Sequence, residues 1–181
     1  DPDTGNWITL NGEIYNFREL RSDLSRKGQI FQTKTDTEVV LKAYAVWGNA
    51  CVQHLRGIFA FGIWDNCDSR LFLARNQLGV KPLYYRQQGG VMLFASEVRA
   101  LLATDLVPRR LNHQGLHSFL AYGSVQDPLT IIDGVQSLRP GHTLIWKDGM
   151  IRTDRYWRLP DPESVRNKAP PDVFEQVLDV L

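Results

Sequence analysis

The apolar and polar positions of the first third of the chain predict a strand followed by two helices. Residues Trp7 to Leu10 alternate as in a strand, and the pair Asn11-Gly12 is typical of a sharp turn after one. A helix capped by Asn16 follows, and a second helix, capped by Thr35, begins after a short strand over residues 29–33. In both helices a Glu three residues after the cap completes a capping box.

The remainder of the chain is predicted to be rich in hairpins. Residues Gly57–Asp65 are apolar on both faces, as in a strand that is covered on both sides, and Arg70–Arg75 returns as the second arm of a hairpin. Gly89-Gly90 and Asp148-Gly149 are two further turn pairs, and Ser96 and Asn112 are predicted to cap helices. Successive hairpins with separate helices predict an α+β fold with mostly antiparallel sheets.

Composition and charge exclude several classes of protein. The chain has 181 residues, of which 43% are hydrophobic and 23% charged, so it is neither disordered nor collagen-like. A net charge of +1 gives no electrostatic footprint for nucleic acid or an anionic membrane, and no apolar run approaches membrane-spanning length. Cys51 and Cys67 form neither a metal-type spacing nor a disulfide framework. We therefore expect a reducing, cytoplasmic compartment.

Two short segments are candidates for acyl-transfer chemistry. The Asn11 amide and the Gly12 N–H could aim two donors at one oxygen, although the same pair is also a standard turn signal. Asp36, beside a helix N-cap, could hold an ammonium group or could simply complement the helix dipole. From the residues alone, both alternatives stay open at each position.

Other reactive side chains give weaker signals. His113 and His117 have the spacing of two zinc ligands on one helix face, but no general-base Glu or third ligand accompanies them, so we predict no metal site. Nearby carboxylates disfavour a thiolate at Cys67, and Cys51 has apolar neighbours, so neither cysteine is predicted to be a nucleophile.

Several ordered motifs resemble those of one family. They are Asn11-Gly-Glu-Ile-Tyr-Asn16, Thr35-Asp-Thr-Glu38, Leu55-Arg-Gly-Ile-Phe-Ala-Phe-Gly-Ile-Trp-Asp65, Leu71-Phe-Leu-Ala-Arg75, Gly79-Val-Lys-Pro-Leu-Tyr-Tyr85 and Phe94-Ala-Ser-Glu97. In this order and spacing they resemble the amino-terminal glutaminase domain of glutamine-hydrolysing asparagine synthase, a class II glutamine amidotransferase. Residues 138–142 and 156–160 resemble the connection to its synthetase domain.

The resemblance implies a fold and roles for four residues. The fold is the αββα sandwich of N-terminal-nucleophile hydrolases, here incomplete, with two mostly antiparallel sheets between helical layers. Asn11 and Gly12 would form the oxyanion hole, and Glu13 and Asp36 would bind the substrate's α-amino group. We expect the amidotransferase domain over residues 1–125, its end and connection over 126–160, and a linker with the start of the synthetase domain over 161–181.

The chain departs from the family at its ends and at one internal position. The family's nucleophile is an amino-terminal Cys, whereas residue 1 is Asp, so we expect a chain truncated at both ends that is inactive alone. Asn76 stands where the family's Ala-Arg motif usually continues with Asp. Arg75 and Lys81 are interpreted as structural residues that brace a turn between strands.

The function implied for the full-length protein is glutamine-dependent asparagine synthesis in the cytoplasm. This domain would need no cofactor, and the synthetase domain would use ATP and Mg²⁺. The implied partners are glutamine and the synthetase domain, with a homodimer as an option and no role for nucleic acid or membrane. Two alternatives stay open: an amidotransferase with another acceptor, such as a sugar, peptide or antibiotic precursor, and a non-catalytic relic of the domain.

Overall fold

The computed structural model describes residues 1–161. Residues 162–181, which carry most of the predicted linker and the predicted final helix, lie outside the described residues. The helices are α1 (Phe17–Arg26), α2 (Asp36–Trp47), α3 (Val98–Leu102) and α4 (His113–Tyr122), with a 3₁₀ helix over Gly48–Gln53. The strands are β1 (Trp7–Ile14), β2 (Gly57–Asp65), β3 (Arg70–Arg75), β4 (Tyr84–Gln88), β5 (Val91–Ala95), β6 (Gln136–Ser137), β7 (His142–Lys147) and β8 (Met150–Arg155).

The strands form two antiparallel sheets, as the sequence predicts. The first sheet has the order β1-β2-β3-β7-β8, and the second has the order β5-β4-β6. Strand β1 is therefore an edge strand of the first sheet among the described residues, and its first residue, Trp7, is 76% exposed. No helix within residues 1–161 is long and apolar enough to cross a membrane.

Three apolar clusters show that the sheets are stacked between helices. The largest cluster joins α1 and α2 to one face of the first sheet, where Phe59, Phe61 and Ile63 of β2 are buried. The opposite face of β2 contributes Ala60 to a second cluster, which lies between the two sheets. A third cluster packs α3 on the outer face of the second sheet through Leu101. The prediction that β2 is covered on both faces is confirmed.

Local patterns predicted some element boundaries correctly and others wrongly. The predicted bounds of β2 and β3 are those observed, and the Asn112 side chain caps α4 by accepting from two backbone N–H groups. The predicted strand over residues 29–33 is absent. Asn16 and Ser96 make no cap hydrogen bond, because the Asn16 amide bonds the backbone of residues 54 and 56, and Glu97 takes the capping position before α3.

The predicted turn at Asn11-Gly12 is also wrong. Strand β1 continues through both residues to Ile14, with Asn11 opposite Ala60 and Gly12 opposite Phe59 of β2. Eight consecutive residue pairs with β2 outweigh the local turn preference of the dipeptide. The two candidate donors therefore lie within a paired strand rather than in a turn.

A buried carboxylate joins α2 to the hairpin between β2 and β3. Asp65 accepts a hydrogen bond from the Tyr44 hydroxyl at 2.8 Å and from the Asp68 N–H at 3.2 Å, and Arg70 Nε lies 3.3 Å away. Burial by itself would raise the pKa of the Asp65 carboxyl. The hydrogen bonds and the Arg70 charge outweigh burial, so this pKa lies below its ordinary value of 3.8.

We expect Asp65 to stabilise the fold at neutral pH and to lose that effect in acid. A lowered folded-state pKa means that its contribution is complete above the unfolded-state pKa and disappears as the pH falls through the folded-state value. Asp65→Asn should therefore lower the free energy of unfolding by about 2 kcal/mol at pH 6. The difference should shrink below pH 3.8. Urea unfolding of both chains at pH 6, 4 and 3 measures it, and a pH-independent difference would contradict this assignment.

Candidate active site

Some backbone N–H groups of β1 point outward from the edge of the first sheet, away from β2. The Tyr15 N–H donates to the Arg56 carbonyl at 2.8 Å just beyond the strand. Hydrogen-bonded and non-hydrogen-bonded residue pairs alternate along an antiparallel ladder, so this bond shows which pairs of β1 and β2 are of each kind. By that alternation Gly12 and Ile14 occupy non-hydrogen-bonded pairs with β2, so their N–H groups point outward. The Phe59 carbonyl opposite Gly12 accordingly accepts from Asn76, on the β3 side.

Gly12 occupies a position that no other residue fits. Its φ is +141°, in the region that favours glycine, and an added Cβ would lie 2.0 Å from the Ile58 carbonyl oxygen. The close approach of β1 to β2 therefore depends on the missing side chain. It leaves the Gly12 N–H on a fixed section of backbone at the sheet edge.

The Asn11 side chain points to the face between the sheets. Its Nδ2 donates to Ser96 Oγ at 3.0 Å, and both side chains line a cavity of about 160 Å³ together with Leu83 and Phe94. Residues Ile8, Leu10 and Ile14 pack on the opposite face of the strand, against α1 and α2. Asn11 therefore lies beside the Gly12 N–H but on the side that faces the second sheet.

Asp36 is brought to the same edge from another element. Its Oδ2 accepts a hydrogen bond from the Ile14 N–H at 3.0 Å. The Ile14 and Gly12 N–H groups are two residues apart on one edge, or about 7 Å at the rise of a strand. Glu13 lies between them, is exposed, and shares the strand face of Asn11 by the two-residue period. The structure thus brings all four predicted site residues to the second half of β1.

The N-terminus of α2 is braced in a way that fixes Asp36. Thr35 Oγ1 accepts from the Glu38 N–H at 3.3 Å, which confirms the first half of the predicted capping box. The second half differs, because the Glu38 carboxylate accepts from the Gln32 and Thr33 N–H groups, both at 2.7 Å. Burial alone would raise the pKa of Glu38, but these hydrogen bonds outweigh it and lower that pKa.

Arg75 and Asn76 have structural contacts, as the sequence predicts for Arg75. The Arg75 guanidinium donates to the carbonyls of Lys81, Gly79 and Leu138 at 2.9, 2.8 and 2.7 Å. It also bonds the Ser137 hydroxyl and the carboxylate of Asp127, both at 3.1 Å. Asn76 is 2% exposed. Its backbone carbonyl accepts from the N–H groups of residues 79 and 141. Position 76, where the family usually has Asp, is therefore occupied by a buried Asn within this network of backbone hydrogen bonds.

The remaining candidates lie outside the β1 edge. Cys51 is fully buried, and burial raises the pKa of its thiol to about 12, which suits a structural residue rather than a nucleophile. Cys67 is exposed in the turn between β2 and β3. His113 and His117 line a large, open groove of about 760 Å³ along α4. Within residues 1–161 no group of three His, Cys, Asp or Glu side chains could hold a metal ion.

Sequence reasoning missed two contacts of the site. Ser96 lies 85 positions from Asn11 along the chain, and the local sequence suggested only a helix cap for it. The bond between Asp36 and the Ile14 backbone joins positions 22 apart and likewise has no local signal. Both contacts depend on how the two sheets and α2 pack, which a pattern within one segment does not contain.

The architecture is shared with solved amidotransferase structures. The structure of glutamine phosphoribosylpyrophosphate amidotransferase from Bacillus subtilis matches with a TM-score of 0.55 at 23% identity, over 84% of this chain and 29% of that one. At this level of identity the likeness defines the fold, which is the α+β sandwich of the N-terminal-nucleophile amidotransferases. The fold predicted from the sequence is confirmed.

The family follows from two sequence comparisons. The family described as "Glutamine amidotransferase domain" matches residues 1–157. Asparagine synthetases 3 and 1 of Bacillus subtilis, both named as glutamine-hydrolysing, are 40% and 37% identical, each over 84% of this chain. The chain belongs to the class II glutamine amidotransferase domain family. It spans about a quarter of the length of these curated relatives, 25% and 24%.

Proposed function

We propose that this domain releases ammonia from glutamine in a glutamine-dependent asparagine synthase. The observation that carries the proposal is the bond from the Ile14 N–H to Asp36, since it places a carboxylate on the same edge of β1 as the outward Gly12 N–H, two residues along the strand, with Asn11 next to Gly12. An amino acid needs these two features at once, a carboxylate for its ammonium group and donors for the oxygen of its carboxamide. Membership of the amidotransferase family supports the same substrate.

The proposed chemistry is acyl transfer through a thioester. We place the nucleophilic Cys at the amino terminus of the full-length protein, outside the 181 residues, where its own α-amino group acts as base. The thiolate adds to the carboxamide carbon, and the negative charge that develops on the oxygen is stabilised by Asn11 Nδ2 and the Gly12 N–H. The carbon–nitrogen bond then breaks, ammonia leaves with the proton from the thiol, and water hydrolyses the thioester to glutamate.

Asp36→Asn should weaken glutamine binding with little effect on the chemical step. Asn can still accept from the Ile14 N–H, but it lacks the charge that attracts an ammonium group. Loss of a hydrogen bond to a charged group corresponds to an increase in KM of about 10- to 100-fold, with kcat within about threefold. Steady-state glutaminase assays of the full-length protein measure both values. The control is Asp23→Asn, an exposed partner of Arg26 on α1, and equal KM values in the two variants would refute the role of Asp36.

The rest of the full-length protein is proposed to use the ammonia. Its synthetase domain would activate the β-carboxylate of aspartate with ATP and Mg²⁺, and this amidotransferase domain would need no cofactor of its own. The similarity to two glutamine-hydrolysing asparagine synthetases supports aspartate as the acceptor. A cytoplasmic location agrees with Cys51 and Cys67, which are both free thiols.

Product analysis of the full-length protein tests the whole proposal. With glutamine, aspartate and ATP·Mg²⁺ we expect asparagine and glutamate in equal amounts, and ammonium should replace glutamine as nitrogen source. Glutamate without asparagine would refute aspartate as the acceptor while leaving the glutaminase intact. Asparagine formed from ammonium alone, with no hydrolysis of glutamine, would show that this domain is a non-catalytic relic.

A further inference from the structure

One side chain from the second sheet contacts the proposed oxyanion donor directly. Asn11 Nδ2 donates to Ser96 Oγ at 3.0 Å, although Asn11 belongs to the first sheet and Ser96 follows β5 of the second. Both side chains line the cavity of about 160 Å³ between the sheets. This hydrogen bond therefore ties the side chain of an edge strand to a separate layer of the fold.

The bond restricts a group that otherwise turns freely. Rotation about the last torsion of an asparagine side chain has broad minima, so a carboxamide on an edge strand is not held in one orientation by its own geometry. The Asn11 amide has two N–H donors, and Ser96 takes one of them. The other N–H of the same planar group is then fixed in direction, and it is the one left for a substrate oxygen.

Ser96 itself stands on a well-anchored segment. The preceding residue, Ala95, pairs with Tyr84 in the second sheet, and α3 begins two residues later and buries Leu101 to 2% exposure. The hydroxyl is not used to cap α3, since Glu97 occupies the N-cap position and no side-chain cap bond is formed there. The position of Ser96 Oγ is therefore set by the second sheet, and its bond is directed to Asn11.

We propose that Ser96 is a positioning residue for glutamine hydrolysis, which orients the Asn11 amide toward the oxyanion of the acyl-transfer step. The proposal rests on the proposed glutaminase function and adds to it a residue that acts only through Asn11. A residue of this kind affects the transition state more than the bound substrate, because the donor must point to the oxyanion rather than to the carbonyl oxygen of the ground state.

The first test separates positioning from folding. In the full-length protein, Ser96→Ala is expected to lower kcat for glutamine hydrolysis about tenfold with KM changed less than about twofold, a smaller effect than complete loss of a donor. Ser96→Thr keeps the hydroxyl and should restore most of kcat. The matched control is Ser118→Ala, because the buried Ser118 hydroxyl accepts from the Gln126 N–H and does not line the cavity around Asn11 and Ser96. It should lower thermal stability and leave kcat unchanged.

A double-mutant cycle shows whether Ser96 acts through Asn11. In an Asn11→Ala background, Ser96→Ala should lower kcat by less than about twofold, since the group that it orients is already gone. A full tenfold decrease in that background, or an unchanged kcat in the Ser96→Ala single variant, would overturn the proposal. Failure of the proposed function has a different signature, in which Asn11→Ala itself leaves glutamine hydrolysis unchanged.

Discussion

Asn11→Ala is expected to lower kcat for glutamine hydrolysis by about 10²- to 10³-fold in the full-length protein, with a smaller change in KM. The amide is the side-chain donor of the proposed oxyanion hole, and its removal leaves only the Gly12 N–H for the developing charge. The strand should persist, because β1 is held by eight backbone pairs with β2 and by apolar side chains on the opposite face. Steady-state kinetics with glutamine as the sole substrate measure the effect.

Two comparisons make the Asn11 result decisive. Asn112→Ala removes an asparagine of purely structural role, the cap of α4, and should cost about 1 kcal/mol of stability with kcat unchanged. The proposed synthesis of asparagine from added ammonium should stay at the wild-type rate in Asn11→Ala, since it bypasses glutamine hydrolysis. If kcat falls equally in both asparagine variants, the decrease reflects folding, and the oxyanion assignment is wrong.

Arg75→Met is expected to lower the free energy of unfolding by about 4 kcal/mol, the largest loss of stability that we predict for a single side chain. The guanidinium is the common donor to carbonyls of residues 79, 81 and 138 and to the Asp127 carboxylate. Methionine fills the space of the aliphatic stem but supplies no donor, so these acceptors lose their partner within a largely buried region. Urea unfolding followed by tryptophan fluorescence measures the difference.

A second arginine provides the control for charge removal. Arg110 pairs with Asp133 at the surface, where its side chain is 72% exposed, and such pairs contribute at most about 1 kcal/mol. Arg110→Met should therefore change the free energy of unfolding by less than about 1 kcal/mol. Similar losses in the two variants would mean that Arg75 is not the structural centre that its contacts indicate.

The sequence predicted what is encoded within one segment. The bounds of β2 follow from a long apolar run between turn residues, and the start of α4 follows from one Asn whose side-chain oxygen caps the helix. The two-residue strand β6 has no pattern of its own, because it exists only through its pairing with β4. A strand this short could not be predicted without the position of its partner.

The errors at Asn11-Gly12, Asn16 and Ser96 have a common physical cause. At each of these positions the residue by itself prefers a turn or a helix cap. In the folded chain a partner from a distant segment takes up its hydrogen-bonding groups instead. Asn11 pairs with Ala60 of β2, Asn16 bonds the backbone of Arg56, and Ser96 accepts from Asn11. The four proposed site residues were chosen from the family motifs, whereas their convergence on the second half of β1 required the fold.

The exposed indole at the start of β1 has a practical use. Of the five tryptophans in the chain, Trp7 is 76% exposed, while the other four are partly shielded from solvent. Trp7 lies on the same strand as Asn11, four residues or about 13 Å away, and on the same face of it. Its emission wavelength offers a label-free optical signal for a ligand that binds at the β1 edge, with no dye or tag to perturb the strand.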